Sequence, residues 1–280
     1  MDKTELFNRI KGKLIISCQA LPGEPLYDPE RTLMPYMARA AREAGSPMIR
    51  ANTVRDVVGI KRETGLPVIG LIKQVYEGYD GYITPTMREV DALAEAGADI
   101  IAVDCTDRKR GDGLSPWEYI GTIKERYPDQ ILMADISDYQ EGIQAWKSGI
   151  DLVSTTMSGY TDYTPRLEGP DFELVRRLSE ELSIPVIGEG RVHTPEEAVK
   201  MLDMGAWAVI VGGAITRPLE IAGRFMKAVN GRTAERHKKQ KNGKRERDIT
   251  CCTGCPSLAA AVRLQSCLPY LPEMNYNGVI

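Results

Sequence analysis

Short apolar runs alternate along the chain with amphipathic stretches. Four of the runs are KLIISCQ (13–19), LPVIGLIK (66–73), QILMADIS (130–137) and IPVIGEG (184–190). Four more follow a glycine directly: EAGSPMIR at Gly45, EAGADIIAVD at Gly97, KSGIDLVST at Gly149 and DMGAWAVIVGG at Gly205. A glycine just past an amphipathic stretch is a helix stop, because the left-handed backbone needed there is cheap only without a Cβ. These glycines are 52, 52 and 56 residues apart, and LPVIG and IPVIG nearly repeat each other. The chain therefore recurs in units of roughly fifty residues.

The pattern predicts eight strands alternating with helices. Uniformly apolar strands fit a parallel sheet buried on both faces. Regular alternation with helices implies βαβ crossovers. Eight strands in a fourfold period predict the α/β class and a closed (β/α)8 TIM barrel. A doubly wound sheet is disfavoured, because no GxGxxG turn follows the first strand. Residues 1–230 are read as this barrel. The periodic pattern stops after Val229, so 231–280 is read as a separate C-terminal tail and not as an independent domain.

Composition narrows this further. The 280 residues are 42% hydrophobic and 27% charged, which excludes collagen-like, coiled-coil and wholly disordered chains. Apolar runs stay under ten residues, short of the ~20 a membrane helix needs. The start, MDKTELFNRIKGK, has no apolar core of a secretory signal. A cytoplasmic protein that does not bind membranes is the expectation. The net charge of -3 is uneven: nine Lys/Arg and four Asp/Glu lie in 231–280, which leaves -8 for 1–230. Nucleic-acid binding by the body is disfavoured, since phosphate neutralisation needs clustered cations. The tail segment RTAERHKKQKNGKRERD is basic without an apolar face, as in a disordered, solvated tail, and no aromatic residues interleave to grip nucleic acid. Of six cysteines, Cys251, Cys252, Cys255 and Cys267 lie in the tail. One CxxC with a lone further thiol is a poor match to structural zinc spacing. Cys18 and Cys105 form no disulfide framework, and Cys18 reads as a packing thiol.

In such barrels chemistry sits where strands end. The residues closing the runs are Gln19, Arg50 with Asn52, Lys73, Asp104, Asp135, Thr155–Thr156, Glu189 with Arg191, and Gly212–Gly213. Lys73 and Glu189 follow the paired (L/I)PVIG runs and share one rim. A lysine at an apolar mouth loses solvation and offers a neutral amine as base, and a carboxylate opposite accepts or returns a proton. GEGRVHTP (188–195) and VGGAITRP (211–218) are glycine-rich turns entering helices, which predicts a phosphate site with Arg217 as a charged contact. Thr155 and Thr156 read as solvated loop residues, and His193 as a helix-entry residue. Asp104, Asp135 and Glu189 are three acids at strand ends, as a divalent metal site would use, but histidine is nearly absent and no ligand spacing supports it, so no metal is expected.

Taken together, IISCQA, MIRAN, PVIGLIK, AVDCTDR, MADIS, TTMSGYT, PVIGEGR and VGGAITRP resemble the N-acetylmannosamine-6-phosphate 2-epimerase family over roughly 10–229. The family belongs to the ribulose-phosphate-binding barrels. The resemblance implies interconversion of N-acetylmannosamine 6-phosphate and N-acetylglucosamine 6-phosphate, through an enediolate, in sialic acid catabolism. It implies a sugar-phosphate partner, no cofactor and a homodimer. Lys73 is the implied proton-transfer base and Glu189 its carboxylate partner. Gln19, Arg50 and Asp135 match positions that hold the sugar. Arg217 with the backbone of Gly190, Arg191, Gly212 and Gly213 matches the phosphate site. The alternatives are another phosphosugar epimerase, a Schiff-base aldolase on the same barrel, and a non-catalytic sugar-phosphate sensor.

Overall fold

The computed structural model describes residues 2–232, and the disorder and cysteine expectations for the tail lie outside them. Eight parallel strands close into one barrel in chain order. They are β1 (Leu14–Cys18), β2 (Ile49–Asn52), β3 (Val68–Leu71), β4 (Ile100–Asp104), β5 (Ile131–Asp135), β6 (Leu152–Ser154), β7 (Val186–Glu189) and β8 (Ala208–Val211). Helices α2 (Met34–Glu43), α3 (Val54–Thr64), α4 (Met87–Glu95), α5 (Pro116–Arg126), α6 (Tyr139–Lys147), α7 (Phe172–Glu181) and α8 (Pro195–Asp203) fill the crossovers. A further helix runs from 218. The TIM barrel expected from the pattern is the fold found. The chain divides into two compact units, Met1–Met226 and Lys227–Ile280, the second almost wholly outside the described residues.

Local chemistry starts and stops these helices. Reciprocal capping boxes open four of them, at Thr86/Glu89, Ser115/Glu118, Asp138/Glu141 and Thr194/Glu197; each satisfies two backbone N–H groups left over in the first turn. The repeat glycines Gly45, Gly97, Gly149 and Gly205 have φ of 97, 72, 84 and 98°, the left-handed stop inferred from their spacing.

Side chains alternate across each strand. One parity, including Ile16, Cys18, Ile49, Ala51, Val68, Ile101, Val103, Leu132 and Val153, packs outward under the helices. The other, including Ile15, Ile69, Leu71, Ile100, Ala102, Met133, Leu152, Ile187 and Ile210, fills the barrel. The near-repeat of LPVIG and IPVIG has a packing reason. A Cβ on Gly70 would lie 2.9 Å from the Ala98 Cβ and 3.0 Å from Leu93 Cδ2, and one on Gly188 3.1 Å from Met201 Sδ. Both glycines let a neighbouring helix approach its strand closely.

One element was not anticipated. Helix α1 (Lys3–Ile10), capped by Asp2, buries Leu6 and Ile10 against the barrel interior. The indole N–H of Trp207 donates to the Phe7 carbonyl at 2.9 Å and fixes it there. Among the described residues, no helix is long and apolar enough to cross a membrane.

Candidate active site

The inward parity of each strand continues to its C-terminal end, and there it becomes polar. Asp104, Asp135, Ser154 and Glu189 close β4, β5, β6 and β7, Arg50 lies within β2 two residues before its end at Asn52, and Gln19, Lys73 and Thr156 lie just beyond β1, β3 and β6. Strand register aligns Asp104 with Asp135 and Asp135 with Ser154. A ring of polar side chains thus caps the apolar interior of the barrel.

Arg50 is its centre and is almost wholly buried, with 1% of its side chain exposed. Its Nη1 donates to Asp135 Oδ1 at 3.0 Å and its Nη2 to Asp135 Oδ2 at 2.6 Å. Nη1 also stands 3.0 Å from Glu189 Oε2. Burial works against the guanidinium charge, but Asp135 and Glu189 more than offset it and hold Arg50 above its ordinary range. Burial pushes the Glu189 carboxyl up; Arg50 opposes this and the Asp135 charge adds to it. Thr156 Oγ1 lies 2.7 Å from Asp135 Oδ1, 3.0 Å from Glu189 Oε2 and 2.8 Å from Ser154 Oγ. Arg50 Nε and Gln19 Oε1 are buried without a hydrogen-bond partner among the described residues. Buried polar atoms are normally paired, so these two atoms leave hydrogen-bonding capacity unused at the barrel mouth.

Lys73 reaches the same mouth from a short ladder. Gln74 N–H donates to Tyr82 O at 2.9 Å, Thr84 N–H to Ile72 O at 2.8 Å, and Lys73 bridges Ile83. Its backbone N–H donates to Asn52 Oδ1 at 2.9 Å. Thr53, next in sequence, has φ 74°, a strained backbone for a β-branched residue. Its N–H donates to Leu71 O at 2.9 Å, so the strain is spent at the β2–β3 rim that holds Lys73. Burial lowers the Lys73 amine to about 8; the Arg217 and Arg50 charges add to the fall, and Glu189 and Glu24 oppose it. The Tyr82 ring centroid is 6.0 Å from Nζ.

At the expected phosphate site, Gly190 and Arg191 have φ of 106 and 52°, which turns the backbone sharply after β7. The Arg191 side chain is directed away, donating from Nε to Gly169 O at 3.1 Å and lying over Tyr160. Only its backbone faces the turn. Arg217 pairs with Glu24 at 3.2 Å and Glu220 at 3.0 Å. Glu220 Oε2 lies 2.1 Å from where a Gly213 Cβ would stand. A carboxylate is thus accommodated beside this glycine turn and the Arg217 guanidinium.

Several expectations change. Thr155 and Thr156 are not solvated loop residues. Thr155 is fully buried and its hydroxyl donates to Glu189 O at 2.8 Å, while Thr156 bridges the two carboxylates. The signal for Thr156 was parity, since Leu152, Ser154 and Thr156 continue one inward face. Asp104 does not join Asp135 and Glu189; its Oδ2 is 2.7 Å from Arg108 Nη2 and its Oδ1 accepts from the Thr106 hydroxyl at 2.6 Å. Asp135 and Glu189 themselves surround a guanidinium. His193 stands at the mouth of α8, its N–H donating to Glu197 Oε2 at 2.7 Å, as a helix-entry residue does. Burial pushes the Cys18 thiol up to about 12, so it is an inert packing thiol. Ser154, Asn52, Tyr82 and Glu24 belong to the site without having been assigned a role. At the opposite end a cleft of ≈ 520 Å³ is lined by Lys3, Phe7, Asp151 and Trp207; Asp151 is consumed there by Lys3 and Lys124.

Three comparisons bear on this geometry. A family model described as "Putative N-acetylmannosamine-6-phosphate epimerase" matches residues 34–231. Two relatives are each described as "Putative N-acetylmannosamine-6-phosphate 2-epimerase". That of Caldanaerobacter subterraneus subsp. tengcongensis is 55% identical over 228 residues, 81% of this chain and 95% of its own length. That of Clostridioides difficile is 50% identical over 224 residues, 80% of this chain and 99% of its own. A solved structure of the N-acetylmannosamine-6-phosphate 2-epimerase from Clostridium perfringens is 47% identical, with a TM-score of 0.76, covering 80% of this chain and 96% of that one. The thiamine phosphate pyrophosphorylase of Pyrococcus furiosus, at 19% identity and a TM-score of 0.51, covering 77% of this chain and 92% of its own, shares the fold alone.

Proposed function

Because the chain belongs to the N-acetylmannosamine-6-phosphate 2-epimerase family, we propose that it interconverts N-acetylmannosamine 6-phosphate and N-acetylglucosamine 6-phosphate with Lys73 as the base at C2. The phosphate binds at the β7 and β8 turns, against the backbone of Gly190, Arg191, Gly212 and Gly213 and the Arg217 guanidinium. Its binding energy holds the open-chain sugar while the far end reacts. There C2–H stands next to the C1 aldehyde. The neutral Lys73 amine takes the proton. The C–H electron pair becomes the C1–C2 double bond, and the carbonyl pair moves onto the C1 oxygen. Since C2 carries nitrogen, the intermediate is an enolate of the amino sugar. Arg50 and the Lys73 ammonium just formed stabilise the oxyanion. Return of a proton to the opposite face inverts C2, with Glu189 as the second acid. Gln19 and Asp135 hold the sugar's polar groups.

The observation that carries this reading is Lys73 itself. It is a half-buried amine facing two guanidinium groups, brought to about 8, near the working pH where a general base is most effective. Incubation with N-acetylmannosamine 6-phosphate in D2O, followed at C2 by NMR, tests it. Deuterium enters C2 as the epimer forms, and Lys73→Ala lowers that rate by at least about 10²-fold, the usual worth of a positioned base. Normal turnover by Lys73→Ala overturns the assignment.

Work in amino-sugar and sialic acid metabolism goes with this activity. The proposal includes a cytoplasmic site of action and a homodimer. Supporting the dimer are Leu219, Phe225 and Met226, large apolar side chains exposed at 64, 71 and 59% on the helix after β8, more than single scattered surface residues need. A molar mass by light scattering twice that of the chain is the expected result.

A further inference from the structure

Around Thr156 there are more short oxygen contacts than hydroxyl protons to fill them. Thr156 Oγ1 is 2.7 Å from Asp135 Oδ1, 3.0 Å from Glu189 Oε2 and 2.8 Å from Ser154 Oγ. Ser154 Oγ is 3.3 Å from Glu189 Oε2. The two hydroxyls bring one proton each. The Thr156 proton goes to Asp135, the nearest acceptor. The Ser154 proton goes to Thr156 or to Glu189. With both carboxylates ionised, the 3.0 Å contact between Thr156 and Glu189 sets two half-buried oxygens face to face with no proton between them. A proton on Glu189 Oε2 fills that contact, and with the Ser154 proton on Thr156 only the longest of the four, Ser154 Oγ to Glu189 Oε2 at 3.3 Å, goes without one.

The charges point the same way. One guanidinium serves two carboxylates. Arg50 aims Nη1 and Nη2 at Asp135, at 3.0 and 2.6 Å, and only its Nη1 stands near Glu189. Asp135 takes two guanidinium contacts and Glu189 one, at 3.0 Å, so Glu189 has the smaller share of the cation and stands beside a like charge in a site that disfavours a second anion.

We propose that Glu189 rests as the neutral acid, donating its Oε2 proton to the Thr156 hydroxyl, and that Thr156 is the positioning residue that keeps it so. The proposal rests on the reading of Lys73 as the base. It completes that reading, because the groups facing Lys73 are Arg217 and Arg50, which favour the free amine, and Glu189 and Glu24, which favour the ammonium. The groups facing Glu189 are Arg50 from β2, Lys73 beyond β3, Asp135 from β5, and Ser154 and Thr156 at the end of β6. Neutralising Glu189 removes one of the two negative charges that hold a proton on Lys73. Glu189 is then the group that gives a proton, and Lys73, in its free-amine form, the group that takes one.

The test is Thr156→Val, which keeps the shape and removes the hydroxyl, beside Thr156→Ser, which keeps the hydroxyl. In Thr156→Val, Glu189 ionises and Lys73 stays protonated to higher pH. The acid limb of kcat/KM moves up by about one pH unit, a roughly tenfold loss at pH 6 with little loss above the limb. Thr156→Ser stays within about twofold of the parent at every pH. Side-chain ¹³C NMR of labelled glutamate, assigned with Glu189→Gln, shows a protonated Glu189 at neutral pH in the parent and an ionised one in Thr156→Val. An ionised Glu189 in the parent, or a loss in Thr156→Val equal at all pH, overturns the inference. Lys73→Ala separates the two readings. If it still exchanges C2–H, the base assignment fails; if it is inactive while the Thr156→Val limb is unmoved, only this inference fails.

Discussion

Arg50 and Lys73 are cations at one rim with opposite fates. Arg50 keeps its charge against complete burial because two carboxylates meet it. Lys73 gives way because burial and two guanidinium groups act on it together. This has a consequence for stability. The folded value of Lys73 is about 8 against 10.5 for an ordinary lysine, so between these pH values the unfolded chain binds more protons than the folded one. Stability therefore rises with pH across that window, and the full cost is present below it. Lys73→Met removes the cost. It is expected to abolish C2 exchange while raising stability at pH 7 by roughly 0.5–2 kcal/mol, the range of single stabilising changes at functional sites. Melting temperatures taken from pH 7 to 10.5 check this, and the gap between variant and parent narrows as pH rises. Lys73 and Glu189 were legible from their place after paired runs. Thr156 was not, because a threonine after a strand reads as a solvated turn until the partners across the barrel are known.

At the scale of elements, the repeats carried the fold. The pairs LPVIG and IPVIG place glycine where a helix lies against its strand, but the two glycines differ in what they face. Gly70 faces the Ala98 Cβ at 2.9 Å, Leu93 Cδ2 at 3.0 Å and Val57 Cγ2 at 3.2 Å, while Gly188 faces only Met201 within 3.3 Å. The Met201 Sδ and Cγ are flexible and yield, and its fixed Cβ stands 3.2 Å away, whereas the Ala98 Cβ, at 2.9 Å, moves only with its backbone. Gly70→Ala is therefore expected to cost about 1–3 kcal/mol, as overpacking does, and Gly188→Ala less; denaturant midpoints rank them. Helix α1 went unread for a related reason. Its apolar face is Leu6 and Ile10, too few positions to show a period, and its meaning comes from the open barrel end that it closes.

At the scale of the molecule, every residue of the described site lies between Ser17 and Glu220. A chain ended at residue 232 retains every residue of the described site and is expected to keep kcat/KM within about twofold and its melting temperature; loss of either would assign 233–280 a role. By itself the sequence determined the barrel, because strand and helix periods and left-handed glycine stops are local properties that survive in one dimension. It determined the ends of the strands as the place of chemistry for the same reason. Only the tertiary structure decided which end residues meet: Asp135 and Glu189 on Arg50, Asp104 instead on Arg108, and Thr156 between two carboxylates. Protonation follows from those meetings. Burial and charge act across strands tens of residues apart in sequence, and only closure of the barrel sets those distances.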